Sequence, residues 1–441
     1  MDAPGEITTT VPGWSVRKRI RSGAGRDLVL EEIPTSYTVT LTGATRVRLL
    51  GAGDAPERSW VAPDGVYISD ACWHPSGEVS AVLLGGDRGV SLARLAADLT
   101  PVAVDALHDP AVATDPHAAE EGGAQDLLAN ALASDAARIG AVGEDIVAVV
   151  DTSYNSIVAY RVSFAGAWSA PRRTLVEPPA ALTPFLPTSG TFDTFGAIVA
   201  WFRSPLDVDD QGNAYVAVWA DPTRLRAHND AFHDGLVPLP VGDTDAGAAP
   251  SSSDVVVTKV DAQGARVWSL VVGTAHEDEP YAIRARGGAV AVVGRSRRFP
   301  GFDNTVWDAF IAAASTEGAP LGARTIALDA SGIFLAIDRQ PPQGAWILGG
   351  SDGWSQNPDG LSVLSYGAKL LLVLPALDAT PTRLPLSPGP RNNEIRAVIG
   401  DETQIWFGGD EDGPIMHTAD GDLTQIHATG VLGSVPAITG G

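Results

Sequence analysis

Between Asp254 and Pro300 the chain reads DVVVTKVDAQGARVWSLVVGTAHEDEPYAIRARGGAVAVVGRSRRFP. Four runs in it, VVVTKV, ARVWSLVV, YAIRAR and AVAVVG, are rich in β-branched or apolar residues. They are divided by Asp-Ala-Gln-Gly, by Gly-Thr-Ala-His-Glu-Asp-Glu and by Gly-Gly. Short runs of this kind between turn residues are antiparallel strands. One such stretch is a meander, and several in succession build a propeller.

The same pattern recurs along the chain. Residues 14–62 hold WSVRKRIR, RDLVLEEI, SYTVTLTG and TRVRLLG, read as the four strands of a first blade. Residues 66–107 repeat it, with the turn His74-Pro75-Ser76-Gly77 closing the first pair, and residues 135–177 give a third blade. PLDV and NAYVAVWA supply the first two strands of a fourth, so the stretch from Asp254 spans the outer strands of the fourth and the inner strands of the fifth. WDAFIAAAS and LGARTIALD complete the fifth. GIFLAID, GAWILGG, AKLLLVLP and TRLPLS form the sixth, and NEIRAVIG, TQIWFGG, PIMHTAD and LTQIHAT the seventh. Later blades start near residues 66, 135, 204, 279, 331 and 393. Leu84-Gly85-Gly86-Asp87, Leu348-Gly349-Gly350-Ser351 and Phe407-Gly408-Gly409-Asp410 each end a second strand, where paired glycines are expected to leave the sheet at positive φ. The expectation is an all-β chain forming one β-propeller domain over residues 1–441, with seven four-stranded blades and six or eight as alternatives. Early N-terminal strands are expected to join late C-terminal ones to close the ring.

Residues 254–311 resemble a bacterial β-propeller repeat family. The likeness lies in Asp254, Lys259, Asp261, Gly264 and Trp268, then Asp278, then Phe299-Pro300. Gly212-Asn213-Ala214-Tyr215-Val216 and Asp308-Ala309-Phe310-Ile311 supply parts of neighbouring copies. The resemblance implies the propeller fold and no particular function.

Composition narrows the partners. A formal net charge of -23 argues against nucleic acid or an anionic membrane surface, both of which call for a basic protein. Cys72 is the only cysteine, so neither an intrachain disulfide nor a cysteine zinc site is available. No uncharged apolar run reaches 18 residues, so no membrane insertion by a helix is expected. The N-terminal stretch has neither the basic nor the apolar region of a signal peptide, and two methionines in 441 residues suggest a processed protein exported from a bacterium; a monomer is expected.

Long insertions at 108–134, 177–204 and 220–253 all fall where loops open on one propeller face, the usual place for a site on a rigid scaffold. The first is expected to carry a short helix on the rim. AHNDAFHDG places His228, Asp230, His233 and Asp234 close together, and His276-Glu277-Asp278-Glu279 leads into an innermost strand, one or two of its side chains aimed at the central tunnel. Imidazoles and carboxylates can hold zinc with an open water position, and converging oxygen ligands can hold calcium. His228, Asp230, His233, Asp234 and His276 are therefore the candidate metal ligands, and His228, His233, His276, Glu277 and Asp278 the candidate catalytic groups. Asp70, Asp135 and Asn392-Asn393-Glu394 are the other acids and amides at innermost-strand positions. Asp207-Val208-Asp209-Asp210-Gln211-Gly212 starts like a calcium loop, but Val218 stands where its glutamate should be, so it reads as a β-turn. Trp201, Phe232, Phe299, Trp307 and Trp354 beside the same loops are candidate substrate-binding aromatics. Trp268, Trp346 and Trp406 read as sheet packing. Arg17, Lys18, Arg19 and Arg21 alternate with apolar residues and read as a solvated strand face.

Two functions follow. One is a metal-dependent hydrolase, with zinc or calcium, acting on a small ester, lactone or phosphotriester at the loop-rich face. The other is a noncatalytic propeller binding a carbohydrate or a protein. The gathering of titratable and aromatic residues in the insertions favours the first.

Overall fold

A computed structural model describes residues 6–22, 24–33, 44–51, 58–85, 90–106, 137–143, 145–153, 156–163, 172–175, 205–220, 254–263, 265–272, 278–297, 307–328, 331–342, 344–354, 368–386, 393–411, 416–417, 423–424 and 429–437. Those residues form seven four-stranded antiparallel sheets and one two-stranded pairing.

β1 (Glu6–Pro12) is set aside by the topology for the last sheet. The first blade is β2 (Ser15–Arg21), β3 (Asp27–Glu32), β4 (Thr45–Leu49) and β5 (Arg58–Val61). The second is β6 (Val66–Trp73), β7 (Val79–Gly85), β8 (Val90–Leu95) and β9 (Pro101–Ala106); the third is β10 (Ala137–Val142), β11 (Asp145–Ser153), β12 (Ser156–Ser163) and β13 (Arg172–Leu175). The fourth is β14 (Leu206–Val208), β15 (Ala214–Ala220), β16 (Asp254–Val260) and β17 (Arg266–Val272); the fifth is β18 (Asp278–Arg286), β19 (Ala289–Arg297), β20 (Trp307–Ser315) and β21 (Pro320–Ile326). The sixth is β22 (Ser331–Arg339), β23 (Trp346–Trp354), β24 (Ala368–Leu374) and β25 (Thr382–Arg383). The seventh pairs β26 (Glu394–Gly400), β27 (Gln404–Glu411), β30 (Thr429–Pro436) and β1, while β28 (Met416–His417) and β29 (Leu423–Thr424), among the described residues, pair with each other alone.

Each sheet touches the next through its innermost strand, and β2 packs on β26, β27 and β30, so the ring closes. The apolar faces fill the wedges between blades. Leu28, Leu30 and Val47 meet Ile68, Ala81 and Leu83 between the first two. Tyr215, Val255 and Val257 meet Ile283, Val290 and Phe310 between the fourth and fifth. Closure adds polar ties: Ser15 Oγ donates to Asp410 at 2.6 Å, Val16 N donates to its other oxygen at 2.9 Å, and Arg19 reaches the carbonyls of Phe407 and Gly433, both at 3.3 Å.

Three expectations are corrected. The third and fourth strands of the seventh blade are β30 and β1, not PIMHTAD and LTQIHAT. The ring gains more by tying its two ends into one sheet than by letting each end stand at an open edge. In the first blade TRVRL is the third strand and RSWV the fourth; SYTVTLTG lies outside the described residues. Two of the three glycine pairs do not leave the sheet; Gly86 of the other lies outside the described residues. Gly349-Gly350 and Gly408-Gly409 lie within β23 and β27 without positive φ, because a Cβ on Gly350 or Gly409 would fall 1.9 Å from Ile333 O or Glu394 O. Gly294 repeats this in the fifth blade, 1.8 Å from Glu279 O.

Two of the resembling motif residues fasten one blade to the next, and a third closes a turn. Lys259 Nζ and Trp268 Nε1 both donate to Thr316 O, at 2.7 and 3.2 Å, in the β20–β21 turn of the next blade. Asp261 accepts from Gln263 N and Ala265 N, closing the β16–β17 turn. Asp209 does the same for Gln211 N and Asn213 N while accepting from Tyr215 Oη at 2.9 Å, so the calcium-loop-like run is a β-turn, with Gly212 at φ +89°.

Candidate functional site: the central channel

The seven innermost strands surround a cavity of about 440 Å³. A strand facing an axis has one unpaired edge of N–H and C=O groups, and these need partners. The chain supplies them from the preceding blade. Asp70 on β6 accepts from Ile139 N on β10 at 3.0 Å. Asp207 on β14 accepts from Ala285 N on β18 at 2.7 Å, and Asp338 on β22 accepts from Gly400 N on β26 at 2.9 Å. Ser69 Oγ donates to Ala137 O at 2.8 Å on the opposite sense of the same seam.

In five blades the innermost strand also carries a bulge against its neighbour, leaving Arg17, Ser69, Tyr281, Leu335 and Arg396 as the extra residues. A bulge bends the strand and re-aims its side chains. It explains the invariant close approach at Gly294, Gly350 and Gly409, each paired to the residue just before a bulge.

Seven cations line the cavity: Arg17, Lys18, Arg19 and Arg21 from β2, with Arg138, Arg284 and Arg396 from β10, β18 and β26. Three carboxylates, Asp70, Asp207 and Asp338, line it with them. Lys18 bonds both oxygens of Asp70, at 2.7 and 3.0 Å. Arg284 is shared between Asp338 at 2.7 Å and Asp207 at 3.2 Å, and Arg286 adds a second cation to Asp338 at 3.2 Å. Set behind the lining, Glu32 faces Arg17 at 3.4 Å and Arg396 at 3.6 Å, and accepts from Tyr67 Oη at 2.6 Å. Arg396 also pairs with Glu394 and, at 3.3 Å, with Asp410. Asp27 pairs with Arg19, and Arg21 stacks 3.8 Å over the Trp406 ring.

These pairings set the protonation behaviour. The charge of Asp207 holds the Arg284 guanidinium above its ordinary value against the pull of burial, with Asp338 adding to it. Burial pulls Arg396 down, but Glu394, Asp410 and Glu32 together raise it well above its usual range. Burial raises the Asp207 carboxyl despite Arg284, and pushes Asp410 up to about 6 despite Arg396. The Cys72 thiol, buried in the same wall, is pushed up to about 12 by burial.

The cluster Arg17-Lys18-Arg19-Arg21 is therefore not a solvated strand face. β2 is innermost in its blade, and the Arg17 and Arg19 side chains are only 6% and 7% exposed. The sequence signal was present: in each blade the first strand faces the axis, and this first strand carries four cations.

Of the residues expected to form a site, Trp201, His228, Asp230, Phe232, His233, Asp234, His276, Glu277 and Phe299 lie outside the described residues, as does the helix expected in 108–134. Asp278 is described: it is buried at the start of β18 and is not among the residues lining the channel. Glu279 turns instead to Tyr281 Oη and Arg295, each at 2.8 Å. Trp307 is not a loop aromatic: it opens β20, is buried, and lies 4.1 Å under the Arg295 guanidinium. Trp354 is the last residue of β23. Trp268 and Trp346 lie within sheets, as expected, and Trp406 does so while also supporting Arg21. Asp70 and Glu394 do not converge on a cation site; Lys18 and Arg396 answer them. Asn393 is buried, and Asp135 and Asn392 lie outside the described residues. Among the described residues no group of three or more His, Cys, Asp or Glu is arranged for a metal ion.

No family model matches the chain, and no curated protein matches it in sequence. Solved structures match it in chain path. A structure of YCF48 bound to D1 peptide aligns over 97% of this chain and 95% of its own, at 9% identity and TM-score 0.45. Sqt1 from Chaetomium thermophilum aligns over 98% and 99%, at 9% identity and TM-score 0.43. The acylaminoacyl peptidase of Pyrococcus horikoshii aligns over 94% of this chain and 46% of its own, at 8% identity and TM-score 0.35. Likenesses this distant carry no function to the present chain.

Proposed function

We propose that this protein is a noncatalytic binding propeller whose ligand occupies the central channel. The observation that carries this reading is the channel's construction. A cavity of about 440 Å³ is the size of a small-molecule site, and all seven innermost strands contribute to its wall. Its charged groups are fixed in advance by ion pairs and by bonds to neighbouring strands, so a ligand meets them without the cost of ordering them. The carboxylates of the wall, Asp70, Asp207 and Asp338, are each taken up by cations and by N–H groups of the next blade, an arrangement suited to holding a position.

Ligand screening by thermal shift and native mass spectrometry, using small anions, neutral sugars and short glycans, tests it. Leu335 is half-buried on its bulge and lines the channel. Hits are expected to disappear in Leu335→Trp, which fills the channel, and to persist in Val102→Ala on the exposed outer strand β9. Hits that survive Leu335→Trp unchanged overturn the channel as the site.

Metal-dependent hydrolysis at the loop-rich face rests on His228, Asp230, His233, Asp234 and His276, and on the strand order, in which β9, β13 and β15 all end towards the same rim. It has a separate test. Protein purified without a histidine tag would carry stoichiometric zinc or calcium, lost in His228→Ala and His233→Ala together with ester, lactone or phosphotriester hydrolysis. Metal-free wild-type protein, inactive on all three classes, removes that reading.

A further inference from the structure

We infer that the channel's ligand is an elongated small anion bearing at least two phosphate or carboxylate groups; this rests on the channel being the binding site. Three observations converge on it. First, seven of the chain's thirty Lys and Arg line the cavity against three carboxylates, in a protein of net charge -23. The acids that balance the rest, Glu32, Asp27, Glu394 and Asp410, are not part of the lining. Arg17 and Arg19 turn their charge to Glu32 and Asp27 behind the lining, which leaves Lys18, Arg21, Arg138, Arg284 and Arg396 as five cations against three carboxylates in the wall, an excess of positive charge next to the space.

Second, the spare hydrogen-bonding capacity of the wall is donor capacity. Asp70 already accepts from Lys18, Ala71 N and Ile139 N; Asp207 accepts from Arg284 and Ala285 N; Asp338 accepts from Arg284, Arg286 and Gly400 N. On the donor side, Arg284 engages its Nε and Nη1, and Arg396 likewise, leaving both Nη2 groups without a partner among the described residues. The Lys18, Arg284 and Arg396 side chains are 37%, 34% and 23% exposed, all within one cavity. A guanidinium with an unused Nη2 edge is suited to the oxygens of a phosphate or carboxylate.

Third, the bulges put these donors at different depths. Arg17, Tyr281 and Arg396 share one level as the extra residues of their strands. Arg396 therefore stands at that level, Lys18 one residue further along the channel and Arg284 three residues along. At ~3.3 Å per residue the donors spread over roughly 10 Å, more than one anionic group covers.

Calorimetric titration of the full chain with tripolyphosphate, with citrate and with the neutral sugar maltotriose tests the class. One of the two anions is expected to bind at a single site, more weakly as salt rises, and whichever binds tells phosphate from carboxylate recognition. Leu335→Glu adds a negative charge to the wall without removing any partner, and Lys18→Gln removes a donor. Each is expected to weaken the anion about tenfold or more, with thermal melts confirming that both variants fold. Two results overturn the inference: neither anion binds saturably, or binding is unchanged in both variants. If maltotriose binds instead, and is lost in Leu335→Trp but not in Leu335→Glu, the anion class fails while the channel stands. If no probe responds to Leu335→Trp, both fail.

Discussion

Replacing Asp338 with alanine is the sharpest probe of how the channel wall is held. Its carboxylate, 3% exposed, accepts from Arg284 at 2.7 Å, from Arg286 at 3.2 Å and from Gly400 N at 2.9 Å. Truncation leaves the Gly400 N–H buried without a partner, at about 1–3 kcal/mol. It also strips Arg286 of its carboxylate and leaves Arg284 only Asp207. Breaking a fully buried pair costs about 3–5 kcal/mol, but both arginines are about a third exposed, so solvent screens part of the loss. The expected destabilisation is therefore about 3 kcal/mol, read by urea unfolding followed through tryptophan fluorescence. Asp338→Asn can keep accepting from Gly400 N and is expected to cost about half as much. A double-mutant cycle with Arg284→Met is expected to show coupling of about 1 kcal/mol or more, since the two groups are in contact. A cost below about 1 kcal/mol for Asp338→Ala, with no coupling, would refute the view that these aspartates fasten one innermost strand to the next.

The seam between first and last blades carries a pH dependence. Folding raises the Asp410 carboxyl to about 6, chiefly by burial, so the native state holds this proton more tightly than the unfolded chain. Its contribution to stability is complete below about pH 4 and is lost as pH rises through about 6. Wild-type protein is thus expected to gain more stability between pH 7 and pH 5 than Asp410→Asn does, in parallel urea melts; identical slopes would contradict it. Lys259→Met removes one of two donors to Thr316 O and is expected to cost about 1–2 kcal/mol, with the thermal midpoint as readout. Gly409→Ala drives a Cβ to 1.9 Å from Glu394 O and is expected to cost about 3 kcal/mol, whereas Gly77→Ala, in open space, suffers only its positive φ of 85°.

Much of the fold was written in local pattern. Strand runs of β-branched residues and their turns are decided by neighbours in sequence, which is why β16 to β19 and the starts of the later blades could be placed from residues alone. The calcium-loop-like run at Asp207–Gly212 was also readable, because Asp209 answers N–H groups only a few residues away. What failed was non-local. PIMHTAD has the look of a strand, yet the place beside β27 goes to β30, and the strand outside that is β1, about 400 residues distant along the chain. The glycine pairs looked like turn glycines, and only the approach of a bulged strand shows that they are there to make room.

The stretch from Asp254 to Pro300 pointed by itself to antiparallel blades, and the repetition of its pattern to a propeller of about seven, with six and eight left open, a choice the sheets decide. It could not determine what an innermost strand confronts. Alternating cations on β2 look the same in sequence whether water or an axis lies before them. Only closure of the ring, which sets β2, β18 and β26 around one cavity, turns Lys18, Arg284 and Arg396 into neighbours of a common space. Charge type is a local property of the chain, but the field in a channel is a sum over seven strands.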